Sequence, residues 1–245
     1  MKYASMTDKG LVRKNNEDSL IIVKEGDDLV FAVADGMGGH AMGEVASRTA
    51  LQFVRSAVPD LLASVDNQRE LESQLHSTVE KANVMVYLES LKKKEYHGMG
   101  TTLTLGALHD WRLILSHIGD TRAYLLHGAH LTRLTVDHTL VQQMLEEKMI
   151  TEKEAAEHPK RHMLVRSLGV NEYMSPDTCS FDIAEGDLIL LCSDGLHGYV
   201  KEKEIRDILR KHRDLGLCVQ QLVDAANHAG GHDNISVILV HCNRD

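Results

Sequence analysis

The chain has 245 residues, 43% hydrophobic and 26% charged, enough for a substantial core without a disulfide or metal staple and too apolar for general disorder. Thirty-six acidic residues against 27 basic ones leave a net charge of −9. That balance excludes a broad basic face, so no nucleic-acid partner is expected, and any phosphate must be met by a local cation or a metal.

The N-terminal MKYASMTDKG has no apolar leader stretch, and the segment TDKGLVRKNNED is rich in turn formers. Two apolar runs, 20–23 and 29–34, are split by a turn-like GDD and predict adjacent strands. Ala46, Ala50, Phe53, Val54 and Ala57 follow helical spacing and predict a helix that Pro59 ends. A second helix is expected over 68–93, with Leu71, Leu75, Val79, Ala82 and Val86 on one face.

Strands follow at Leu103, Leu105 and Ala107, then at 112–118 and 121–126. The last two are separated only by Gly119-Asp120, and so short a turn predicts antiparallel pairing. A helix is expected over 140–149, and Thr151 with Glu154 forms a capping-box pattern for another, ended by His158-Pro159. The polar stretch 149–164 reads as an exposed excursion from the core. Strands at 188–192 and 235–240 enclose two helices, one bearing Ile205, Ile208 and Leu209, the other Cys218, Leu222, Ala225, Ala226 and Ala229.

Strands cluster and helices come in pairs without βαβα alternation, which predicts an α+β layered domain of mostly antiparallel sheet. With three prolines and no Pro/Ser-rich linker, one domain over 1–245 is expected. Cys179, Cys192, Cys218 and Cys242 have no CxxC spacing, and Cys192 and Cys218 read as core thiols. With no apolar run near the ~20 residues of a membrane span, a reduced cytoplasmic setting without a membrane partner is expected.

The chemistry sits in a recurring pattern, an aspartate beside glycine at the end of an apolar strand. Asp35-Gly36 follows LVFAVA, Gly119-Asp120 follows LILSHI, and Asp194-Gly195 follows LILLCS. Asp233 follows Gly230-Gly231-His232 and precedes ISVILV, and Glu17-Asp18 precede SLIIV. Singly, each pair is an ordinary turn. Together, at one edge of the sheets, the carboxylates would repel and demand a cation, and oxygen-only ligation selects hard ions such as Mg²⁺, Mn²⁺ or Ca²⁺.

These segments resemble the metal-dependent serine/threonine protein phosphatases of type 2C, in their short bacterial form. The resemblance rests on GLVRKNNED, VADGMGGH, GTTLTL, IGDTRAYL, DHTLVQQM, CSDGL and GGHDNISVI, in that order along nearly the whole chain. It implies a four-layer αββα sandwich of two antiparallel sheets with helices outside each, and a metal site at one end. Asp35 is then expected to bridge two Mn²⁺ or Mg²⁺ ions, with the Gly36 carbonyl on the first and Asp194 and Asp233 on the second. Asp120, with help from Asp194, maps to a third, weaker ion. Asp18 and Glu17 complete an outer shell, Arg13 binds the substrate phosphate, and a flap occupies about 145–165.

The reaction implied is hydrolysis of phosphoserine and phosphothreonine by a hydroxide shared between two ions, attacking in line. Phosphorylated proteins are the expected partners, an opposing Ser/Thr kinase among them, and a monomer is expected. Many eukaryotic members of the family carry a histidine where this chain has Met37; His40 can reach the same space as general acid or merely begin a helix, and a metal-bound water can also serve. Gly198 departs from a common acidic turn, predicting an altered loop with no lost ligand. His117, His138 and His232 read as supporting or packing residues, and Thr102 and Thr104 as structural. Two other readings on the same fold are a catalytically weak phosphoprotein-binding module and an anti-sigma-antagonist phosphatase. The first requires loss of a carboxylate among Asp35, Asp194 and Asp233, all of which are present.

Overall fold

The computed structural model describes residues 1–38, 42–63 and 68–243. In chain order the elements are β1 (Lys2–Asp8), β2 (Asp18–Glu25), β3 (Asp28–Met37), α1 (Met42–Ala63), α2 (Gln68–Lys92), β4 (Gly100–Thr101), β5 (Leu103–His109), β6 (Arg112–Ile118), β7 (Arg122–His127) and β8 (His130–Arg133). There follow α3 (Leu140–Glu146), α4 (Glu152–Glu157), β9 (Asp177–Asp182), β10 (Leu188–Cys192), α5 (Asp194–His197), α6 (Glu202–Lys211), α7 (Leu215–His228) and β11 (Ile235–His241). One sheet runs β2-β3-β5-β6-β9, with β4 on the end of β3, and the other β1-β11-β10-β7-β8; every pairing is antiparallel.

The period-2 alternation of each strand builds the layers. Along β3, Leu29, Phe31 and Val33 face the other sheet, while Val30, Ala32 and Ala34 face α1 and α2. Along β11, Ile238 and Val240 meet that inter-sheet core, while Ile235, Val237 and Leu239 pack under α6 and α7. Central strands of both sheets are therefore apolar on both faces, and the result is the expected αββα sandwich. Leu71, Leu75, Val79, Ala82 and Val86 of α2 are fully buried, as their spacing requires. The four cysteines are unpaired, with Cys192 and Cys218 in the core.

Three expectations are corrected. Pro59 does not end α1, which runs on to Ala63. A proline in the last turn removes one backbone bond, but Leu61 beyond it is buried in the core against α2 and keeps the turn helical. The strands flanking Gly119-Asp120 do not pair with each other: β6 lies in one sheet and β7 in the other, so this dipeptide is a crossing between sheets. The 140–149 helix is shorter than expected and stops at Glu146, and Lys148 has a positive φ of 57°. The Thr151–Glu154 capping box is present.

The topology sets the strand ends together. Asp18 pairs with Asp35, Cys192 with Arg122, and Leu103 with Ile118. The start of β2, the end of β3, the β6–β7 crossing, the end of β10 and the start of β11 thus share one end of the sandwich.

His117 on β6 is 2% exposed. Its Nδ1 lies 2.8 Å from Thr104 Oγ1 and its Nε2 3.1 Å from the Val136 carbonyl. Burial first, then the neighbouring His138, pushes its pKa down to about 3. The folded state keeps this ring neutral while the unfolded chain takes a proton near pH 6.5, so its contribution is complete above that pH and is lost as pH falls. Between pH 6.5 and 5 the loss is roughly 2 kcal/mol. Urea unfolding of His117→Gln at pH 7 and pH 5 should show a correspondingly smaller fall in midpoint than the parent; an identical fall would contradict a buried neutral ring.

Candidate metal centre

The end of the sandwich holds a cavity of about 430 Å³ lined by Arg13, Glu17, Asp35, Gly36, Asp120, Asp194 and Asp233, together with Met37, Thr102, His162, Tyr199, His232 and Asn234. Each carboxylate arrives on a separate element, so the cluster exists only in the folded chain. Asp35 is fixed through its backbone. Its N–H donates to Thr102 Oγ1 at 2.9 Å, and its carbonyl accepts from Thr102 N at 2.8 Å and Thr101 Oγ1 at 2.9 Å. Gly36 follows where three segments crowd: a Cβ there would lie 2.1 Å from the Gly43 carbonyl and 2.6 Å from that of Glu17. Only glycine lets the chain pass here beside the cavity.

Asp18 stands behind the cavity, 7% exposed, with Oδ2 accepting from Ser193 Oγ at 2.7 Å. Arg13 Nη2 donates to Asp233 Oδ2 at 2.6 Å, and His162 Nδ1 lies 3.3 Å from Asp194 Oδ2. Every residue expected to hold metal or phosphate lies in or directly behind this cavity; His40, the candidate general acid, falls outside the described residues.

Several residues that the motifs did not single out also shape the site. Asn234 accepts from Glu17 N at 2.8 Å and donates to the carbonyls of Lys9 and Asn15, both at 2.9 Å, tying the N-terminal loop to the start of β11. His162 and Tyr199 are brought in by loop segments, where no periodicity marks them. Thr102 is structural, as expected, and the structure it holds is Asp35.

Burial and mutual repulsion dominate the electrostatics. Desolvation, then Asp18, Asp194, Asp120 and Asp233, holds the Asp35 carboxyl well above the usual range. Burial raises Asp120 strongly and Asp233 more mildly, each then pushed by Asp194. Asp18 is pushed up to about 7, chiefly by burial, although its serine hydrogen bonds oppose the rise. Asp194 is held low: burial works to raise it, and His162, His197 and Arg13 outweigh that.

The donor set fits hard divalent cations. Asp18 Oδ1 and Asp194 Oδ1 are buried without a hydrogen-bond partner, a costly arrangement that a cation relieves. The available donors are carboxylates and the Gly36 carbonyl, which suit Mg²⁺ or Mn²⁺. As they stand, among the described residues, no three His, Cys, Asp or Glu side chains close round a single point. The Arg13 guanidinium and the His162 ring are the partners drawn against Asp233 and Asp194.

Removing one buried charge should stabilise the protein when ions are withheld. In EDTA, Asp35→Asn should raise the unfolding midpoint by at least about 2 °C, on the scale of 2–4 °C per kcal/mol for a chain of this size. The same variant should lose most of the upward shift that Mn²⁺ gives the parent. A lower midpoint in EDTA with the Mn²⁺ shift intact would contradict the reading of Asp35 as an uncompensated charge.

The comparisons with known proteins agree with this geometry. The chain is 37% identical over 235 residues to the serine/threonine phosphatase stp of Listeria monocytogenes, covering 96% of this chain and 93% of that one. It is 35% identical over 246 residues to the protein phosphatase PhpP of Streptococcus pneumoniae, covering 100% and 99%. Among solved structures, the catalytic domain of the serine threonine protein phosphatase PstP in complex with two manganese ions superposes with a TM-score of 0.84 at 35% identity, covering 97% of this chain and 96% of that one. Residues 11–232 match the model of the protein phosphatase 2C family, and the chain belongs to that family.

Proposed function

We propose that the chain is a metal-dependent serine/threonine protein phosphatase in which Asp35, the Gly36 carbonyl, Asp194 and Asp233 hold a pair of divalent ions and Arg13 receives the phosphate. The observation that carries this reading is one cavity in which four aspartates, their pKa values set by burial and by neighbouring charges, stand with Glu17 around a guanidinium. When bound, divalent ions lower the pKa of water and neutralise phosphoryl charge. Asp35 is the central ligand in this reading, because it feels the charge of Asp18, Asp194, Asp120 and Asp233 alike. Asp120 serves a third, weaker ion, with Asp18 and Glu17 completing the outer ring.

Arg13 is half exposed, and its Nη2 is engaged by Asp233. A guanidinium has five donors in a planar fork, so the remaining N–H groups can grip phosphate oxygens without releasing the carboxylate. Burial alone would lower its pKa, but Asp233 more than offsets that, so the group is charged at any working pH. The segment 145–165 is a flap on the same unit, carrying His162 to the cavity wall.

Phosphoserine and phosphothreonine on proteins are the substrates, written by a Ser/Thr kinase that this enzyme opposes. The four free cysteines suit a reducing cytoplasm. No helix among the described residues is long and apolar enough to cross a membrane.

Turnover of a phosphothreonine peptide should vanish in EDTA and return with Mn²⁺. Asp35→Asn and Asp233→Asn should each lose orders of magnitude in kcat while remaining folded. Arg13→Ala should raise KM about tenfold with the number of bound ions unchanged. Full turnover in EDTA, or a trapped phosphoenzyme, would overturn the proposal.

A further inference from the structure

The Gly119–Asp120 crossing is gripped more tightly than a connecting turn requires. Gly119 has φ +105°, and a Cβ there would lie 2.5 Å from Thr102 Cβ and Cγ2. Its N–H donates to His138 Nδ1 at 3.0 Å, and its carbonyl accepts from the His138 N–H at 2.7 Å. One residue further, the Asp120 carbonyl accepts from His197 Nε2 at 2.9 Å. Two histidines from separate segments, the stretch before α3 and the helix α5, thus hold the peptide groups on both sides of the Asp120 side chain.

The histidine tautomers follow from these bonds. Because Nδ1 of His138 accepts from an amide, its proton is on Nε2, which faces Asp177 Oδ2 at 3.0 Å. Arg166 Nη1, 2.9 Å from the same ring nitrogen, donates to Asp177 Oδ1 at 2.8 Å. His138 is 6% exposed, so its ring is fixed by the carboxylate on one side and the Gly119 amide on the other. The base of the flap is stitched to the same residue, since Val165 N donates to the His138 carbonyl at 2.9 Å.

Asp120 itself is 6% exposed and faces the cavity with Asp35 and Asp194. A turn aspartate would be free to swing toward water; this one is presented to the carboxylate cluster by a backbone held at three points. We infer that His138 and His197 are positioning residues that aim the Asp120 carboxylate at a weakly held divalent cation, an inference that rests on the role proposed above for Asp120. Outer partners of metal ligands act in this way by fixing ligand orientation.

The test is calorimetric Mn²⁺ titration of the full chain beside kcat and KM on a phosphothreonine peptide, for the parent, Asp120→Ala, and variants of the two histidines. His138→Ala and His197→Ala should weaken the weakest Mn²⁺ step about tenfold or more and lower kcat in parallel, leaving the tight pair within about twofold. His138→Asn places an amide oxygen near the position of Nδ1 and should restore both readouts to within about threefold, while His138→Gln, which mimics Nε2, should not. His197→Gln keeps the donor to the Asp120 carbonyl and should likewise restore them. Where His138→Ala does not fold, the Asn and Gln pair decides alone, and equal behaviour of the two overturns the inference. Loss of the weak step in Asp120→Ala, with that step and kcat intact in the folded histidine variants, overturns the positioning role only. An intact weak step and kcat in Asp120→Ala, or a parent titration with no step beyond the tight pair, overturns the reading of Asp120 beneath it.

Discussion

Negative charge forced together out of water is the condition that organises this molecule. Two sheets stacked through Leu29, Phe31, Val33, Ile189, Leu191, Ile238 and Val240 place five strand ends at one edge, and the chain puts an aspartate at each. The desolvation and repulsion that follow would destabilise an ordinary fold. The surrounding structure offsets them with fixed dipoles and cations: Ser193 on Asp18, His162 on Asp194, Arg13 on Asp233. A site of this kind trades stability of the ion-free protein for affinity toward cations, the usual conflict between fold and function at one place.

The rest of the chain serves that edge by being rigid elsewhere. Central strands are apolar on both faces, and their alternation leaves little room for a register slip, since a shift of one residue would exchange the inter-sheet and helix-facing sets. Rigidity there lets the strand ends act as fixed mounts, so carboxylates from β2, β3, β10 and β11 meet without a continuous ligand motif.

Much of this was legible in the sequence because burial leaves a period. The strands 29–34, 188–192 and 235–240 and the helix stripe from Leu71 to Val86 reappear at their expected places. The edge strands β1 and β9 were not legible: β1 is half exposed along its length and owes its form to pairing with β11, and β9 owes its own to β6. The hairpin expected at Gly119-Asp120 failed because a two-residue link says only that strands are near, not that they share a sheet. At the site, the aspartates stood out by their repeated place beside glycine. His162, Tyr199 and Asn234 carried no such mark, because their positions come from loops whose paths only the tertiary fold determines.

The stitching of the N-terminal loop to the start of β11 bears on how the protein is made. Thr7 meets Ser236 across 229 residues, and Glu17 meets Asn234 across 217. Contacts so distant along the chain form late, after the intervening loops have closed. A ribosome releasing this polypeptide from its N-terminus must therefore deliver the last strand before the cavity can assemble. Chains that stop before Asp233 hold Asp18, Asp35, Asp120 and even Asp194 without Asp233 or the Asn234 brace, and leave the cavity incomplete.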